Sequence, residues 1–194
     1  LYVYGFQAEL GSYATSYIPT DGSTVTRSAD VANNSGNADL FNDSEGVLYA
    51  EIAALNDDIS QQIGIYGNSI TEQVRLEINN SAVKAQLFNG AYQTNMSSTQ
   101  TVKNFNKIAF KWKVNDFALW INGMEVDTDT SGTTFNSGDL VKLNLSAQNG
   151  TSSLVTGKVK AIAVFKEALT DAELECLTSW VSFTQMATDL EYTL

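Results

Sequence analysis

The sequence predicts an all-β fold of two antiparallel sheets packed face to face. Apolar and polar residues alternate with period two through most of the chain, the pattern of strands with one dry face. Strands separated by turn signals recur at intervals of about ten residues, the spacing of a sandwich. One clear helix is signalled, near the end.

The hairpin Lys107 to Val126 shows the pattern most clearly. Ile108, Phe110, Trp112 and Val114 alternate with Lys107, Ala109, Lys111 and Lys113. Asn115-Asp116 supplies two residues that tolerate positive φ, as a tight turn needs. With Val114 opposite Phe117, the apolar face gains Phe117, Leu119 and Ile121, while Ala118, Trp120 and Asn122 join the lysines. Trp112 is expected in the core, and Trp120 on the outer face.

At 194 residues the chain is long enough for one well-buried core. Eleven basic against 22 acidic residues give a net charge of −11, which argues against nucleic acid or an anionic membrane as partner. No apolar run approaches the roughly 20 residues of a membrane span, and the chain reads as a soluble fragment of a longer protein. Cys176 is the single cysteine, expected as a buried thiol, so no internal disulfide forms. There is no histidine, which removes the commonest general base and metal ligand and with them Ser-His, Cys-His and ordinary zinc chemistry.

In chain order, LYVYGFQAEL alternates as a leading strand, and Pro19 with Asp21-Gly22 marks a turn before a strand near Ser23 to Ala32. The loop NNSGNADLFNDSEG carries Asp39, Asn42, Asp43 and Glu45, oxygens of the kind Ca²⁺ takes. It lacks the Asp-x-Asp-x-Asp-Gly spacing of a known calcium loop, so a solvated loop is the competing reading, and no cofactor is required. Val47 to Leu55 has few polar residues, as when both faces of a strand are covered. QQIGIYG, EQVRLEINN and SAVKAQLFNG form a meander with Ile63, Ile65, Val74, Leu76, Ile78, Val83, Ala85 and Leu87 on one face. Gln62, Tyr66, Arg75, Glu77, Gln86 and Phe88 take the other.

Ala91 to Lys103 reads as a polar loop, and Asn122-Gly123 as a second tight turn into Met124-Glu125-Val126. LVKLNLSAQ and KVKAIAVF close the set of strands. Thr170 and Glu173 then form a capping box ahead of Leu174 and Leu177, and a second helical turn places Met186 and Leu190 on one side.

Two segments carry a resemblance. QAELGSYATSYIPTDGSTVTRSADV resembles a connector of phage tail-fibre and virion-associated proteins that leads into a concanavalin A-like jelly roll. VFKEALTDAELECLTSW resembles the closing strand and helix of LamG-like and concanavalin A-like domains. The resemblance implies a leading strand and connector over residues 1–22 and a jelly-roll domain over 23–194. It also implies a viral protein with a virion or extracellular location and an adhesion role, and a concave sheet face of the kind on which lectins, glucanases and polysaccharide lyases handle sugar.

Enzymatic members of that superfamily are matched poorly. The Glu-x-Asp-x-x-Glu strand of the glucanases is missing. Of the alginate-lyase pattern, QVRLEI keeps Arg75 and Glu77 but ends in Ile78. Gly64 stands where the histidine would be, and Tyr92-Gln93 lacks the spacing of the catalytic tyrosine segment. The expectation is a non-enzyme, with a lyase as second alternative.

A lectin-like binding role needs less: an exposed aromatic for sugar C–H groups, flanked by amides and charges for hydroxyls. Trp120, Asn122, Tyr66, Arg75, Glu77, Gln86, Phe88 and Lys111 are expected to line one outer face and bind a glycan or host-surface polysaccharide. In the competing readings Lys111 and Trp120 form an ordinary cation–π pair, or the face is a subunit contact in a fibre cap or homo-oligomer. Six Asn-x-Ser/Thr sites, at Asn33, Asn42, Asn79, Asn95, Asn144 and Asn149, carry little weight in so Asn- and Ser-rich a chain.

Overall fold

The computed structural model describes residues 5, 17, 19, 21–25 and 32–191, and the chain divides into two compact units, Leu1–Val31 and Ala32–Leu194. In the first, Gly22 takes φ 75°, the left-handed conformation that an Asp-Gly turn uses. The leading strand expected over 1–10 lies outside the described residues apart from Gly5, which is not in a strand. The next expected strand has 26–31 outside them, and its described positions 23–25 and 32 are not in a strand.

Among the described residues the second unit holds a 3-10 turn at Ala38–Leu40, ten strands and two short α-helices. The strands are β1 Glu45–Ala54, β2 Gln61–Tyr66, β3 Glu72–Asn79, β4 Ala82–Asn89, β5 Ala91–Thr99, β6 Asn106–Lys113, β7 Phe117–Ile121, β8 Met124–Asp129, β9 Lys142–Asn144 and β10 Gly157–Phe165. The helices are α1 Asp171–Thr178 and α2 Phe183–Asp189. One five-stranded sheet has the order β10-β1-β6-β7-β8 and the other β5-β4-β3-β2-β9, with every pairing antiparallel. This is the two-sheet sandwich that alternation and strand spacing predicted, and the jelly roll that the resemblance implied.

The core lies between the sheets. Leu48, Ala50, Ile52, Ile108, Phe110, Trp112, Phe117 and Leu119 face Ile63, Ile65, Val74, Leu76, Ile78, Val83, Ala85 and Leu87. Trp112 is fully buried, and it requires Gly46: a Cβ there would stand 2.5 Å from the indole ring.

The hairpin differs from expectation in register but not in faces. Ile108 pairs with Ile121 and Phe110 with Leu119, so the register is shifted by two residues from a Val114–Phe117 pair. Val114 is exposed in the turn, where Asp116 N donates to Lys113 O at 3.0 Å. Apart from Val114, the even slip leaves the hairpin's strand side chains on their expected faces, because the side-chain period is two.

Two further expectations are corrected. Ala91 to Lys103 is not all loop: β5 occupies Ala91–Thr99 and pairs with β4, burying only Thr94 and Met96, so its apolar signal is weak. Cys176 is exposed, because it lies two positions after the buried Leu174, roughly 200° round a helix. The Thr170–Glu173 capping box forms as predicted. Among the described residues no helix is long and apolar enough to cross a membrane.

Candidate functional site

The residues expected on one face belong to two different sheets. Trp120 and Lys111 lie on β7 and β6, whereas Tyr66, Arg75, Glu77, Gln86 and Phe88 lie on β2, β3 and β4 of the opposite sheet. Trp120 does face outward from the core, but α1 covers it. It is 7% exposed and packs with Val47, Tyr49, Ala109, Ala118 and Leu174 in a second apolar cluster, to which Phe165, Leu169 and Leu177 add.

Lys111, on that same covered face, is not stacked on Trp120 but pairs with Asp116 at 2.7 Å and Asp171 at 3.6 Å, tying the hairpin to the start of α1. Asn122 takes φ 55° in its turn. Its Oδ1 accepts from Lys107 N at 2.9 Å, and its Nδ2 donates to Asn106 Oδ1 at 2.9 Å. These three residues therefore do not line a site with the other five. They close the layer beneath α1 and its adjoining turn.

The outer face of the β5-β4-β3-β2-β9 sheet brings the others together. Cross-strand register aligns Gln62 with Glu77 and Lys84, Gly64 with Arg75, Gln86 and Asn95, and Tyr66 with Gln73, Phe88 and Tyr92. Arg75 stands in the middle, its side chain 15% exposed. Its Nε donates to Gln86 Oε1 at 2.8 Å, its Nη1 to Gln73 Oε1 at 2.5 Å and its Nη2 to Tyr92 Oη at 3.1 Å. Glu77 Oε2 lies 3.9 Å from Nη2 and accepts from Gln62 Nε2 at 3.2 Å. Gln86 Nε2 donates to Asn95 Oδ1 at 2.8 Å.

Exposure grades across this face. On β2, Tyr66 lies fully buried over Gly64, where a Cβ would sit 2.6 Å from the phenol, and its hydroxyl donates to Ser146 O at 2.8 Å. Burial pushes the Tyr66 phenol well above its ordinary range, against the pull of Arg75 and with a smaller push from Glu77. Tyr66 is thus a fixed neutral wall. On β4 and β5, Phe88 is half-buried, Tyr92 is 52% exposed and Asn95 is exposed. The Phe88 and Tyr92 rings meet edge to face, with centroids 5.1 Å apart.

Gln73, Tyr92 and Asn95 escaped the sequence reading of this face. Gln73 shares the parity of Arg75 and was recoverable from it. Tyr92 and Asn95 sit on β5, whose outer-face period is broken by a bulge between Leu87 and Phe88 of the partner strand.

The candidate Ca²⁺ ligands Asp39, Asp43 and Glu45 do not converge. Asp43 accepts from Gly138 N at 2.8 Å and Leu140 N at 2.7 Å, Glu45 pairs with Lys113 at 2.9 Å, and Asn42 donates to Lys166 O at 2.7 Å. These oxygens clasp loops instead. Among the described residues no group of three His, Cys, Asp or Glu side chains is placed to hold a metal ion.

No family model matches the chain, and no curated protein matches its sequence. Solved structures match its fold. The IT-sialidase CBM40 of Ruminococcus gnavus, solved bound to α2,3-sialyllactose, superposes with TM-score 0.62 at 17% identity, covering 78% of this chain and 96% of that one. The leech intramolecular trans-sialidase, solved with 2,7-anhydro-Neu5Ac, gives TM-score 0.60 at 19% identity over 80% of this chain and 27% of that enzyme. The heptameric SAP-like pentraxin of Limulus polyphemus gives TM-score 0.60 at 10% identity over 78% and 76%. At these identities the likeness concerns architecture alone: the chain has the two-sheet jelly-roll sandwich fold that these three structures share.

Proposed function

We propose that the chain is a non-catalytic carbohydrate-binding domain, serving host-surface recognition in a phage tail-fibre or virion protein at the cell exterior. The observation that carries this reading is the outer face centred on Arg75, whose hydrogen-bonded side chains end at the exposed Tyr92 and Asn95 beside Phe88. An aromatic edge next to fixed polar groups suits a sugar, which offers C–H faces and hydroxyls together. The sugar-bound CBM40 neighbour supports the same class of ligand. Glu77 is held between Arg75 and Gln62, an arrangement that orients polar groups rather than freeing a base.

Glycan-array binding of the full chain tests the reading, with Tyr92→Ala as control. Binding should fall about tenfold in the variant, the loss of roughly 1.4 kcal/mol. Array binding unchanged by Tyr92→Ala would remove this face as the site.

A subunit-contact reading has its own observation: Val181 and Phe183, at the start of α2, are 91% and 69% exposed. Light scattering on the full chain and on Val181→Ser/Phe183→Ser separates the two readings, since a fibre-cap oligomer should dissociate in the double variant.

A further inference from the structure

The polarity of the Arg75 network is forced. A guanidinium has donors and no acceptor, so each group it touches must present an oxygen. Gln86 therefore turns Oε1 to Arg75, which leaves its Nε2 to donate to Asn95 Oδ1, and that in turn leaves Asn95 Nδ2 pointing away from the network. Tyr92 Oη accepts from Arg75 Nη2, so its own proton also points away. Among the described residues neither Asn95 Nδ2 nor the Tyr92 hydroxyl donates to another protein group. The two stand on neighbouring outer-face rungs of β5, opposite Gln86 and Phe88, which are about 7 Å apart along β4.

From this polarity we infer, resting on the carbohydrate reading above, that the exposed end of the face presents donors and takes the acetamido carbonyl of a neutral N-acetylated sugar. Its methyl group packs on the Phe88–Tyr92 edge. A carbonyl oxygen only accepts and so matches a site that presents donors, whereas a hydroxyl in its place also carries a proton of its own. A carboxylate offers the same acceptors but meets Glu77 beside Arg75 and a chain of net charge −11.

The test is an array of paired glycans differing only in a 2-acetamido against a 2-hydroxyl group, together with sialylated and uronate-bearing glycans, probed with the full chain. The acetamido member of a pair should bind at least about fivefold more tightly, and Tyr92→Phe and Asn95→Asp should each reduce that preference about fivefold, the scale of one hydrogen bond. Asn95 is exposed and Tyr92→Phe keeps the ring, so both variants should fold, which circular dichroism checks. Equal binding of paired members overturns the acetamido assignment and leaves sugar binding standing. Tightest binding to sialylated or uronate glycans overturns it in favour of an acidic sugar. Binding to no glycan on the array removes the carbohydrate reading and this inference with it.

Discussion

Arg75 Nε donates to Gln86 Oε1 across 2.8 Å, and that bond fixes the direction of the next one, from Gln86 Nε2 to Asn95 Oδ1 at the exposed edge of the sheet. Removing the guanidinium strands the side-chain oxygens of Gln73 and Gln86, both buried, and leaves buried Glu77 without its cation. Arg75→Ala should cost about 2–3 kcal/mol in urea denaturation. Arg75→Lys should recover only part of this, because an ammonium cannot hold three fixed directions at once.

Trp120 answers to a different test. It packs beneath α1 against Leu174, so Trp120→Ala should cost about 3–5 kcal/mol by opening a cavity. Ligand affinity per folded molecule should stay unchanged, because Trp120 lies on the sheet opposite Arg75. Calorimetric titration at a temperature where the variant remains folded checks the separation. A variant of full stability would contradict the packing.

Helix α1 has eight residues and opens on the capping box, in which Glu173 N donates to Thr170 Oγ1 at 3.4 Å and Thr170 N donates to Glu173 Oε2 at 2.8 Å. Thr170→Ala should cost about 1 kcal/mol. Hydrogen exchange should show the loss concentrated in α1, with the strand amides of the core protected as before.

The pH dependence has two flanks. Hydrogen bonds from the Thr170 hydroxyl and backbone hold the Glu173 carboxyl below its ordinary 4.5. For Asp189, burial pushes the carboxyl up, but hydrogen bonds from Gln185, Lys160 and Trp180 outweigh it and hold it below 3.8. Both folded values are depressed, so their contribution is present above the ordinary values and is lost as pH falls through the lower folded ones. On the alkaline side, burial first and then Glu51 push the Tyr49 phenol from 10.0 to about 12. A raised value means stability present below pH 10.0 and lost as pH rises towards about 12. Denaturation midpoints across this range should fall at both ends, and Tyr49→Phe should lessen the alkaline fall.

The sequence by itself determined the faces. Alternation placed Trp112 inside and Trp120 outside, and this survived a two-residue error in register because only odd slips exchange faces. It also determined the capping box and the polar outer row of the meander, including Arg75, Glu77 and Gln86. Tertiary structure decided which sheet each strand joins. Period two says that Trp120 and Arg75 both point away from the core, but β7 and β3 lie in different sheets, so they point in opposite directions. Strand neighbours far apart in sequence are chosen by backbone ladders common to all residues and by packing over the whole core, neither of which leaves a local pattern. The same holds for the cover over Trp120, which α1 supplies through Leu174, and for β5, where pairing with β4 rather than apolar alternation brings Tyr92 and Asn95 to Arg75.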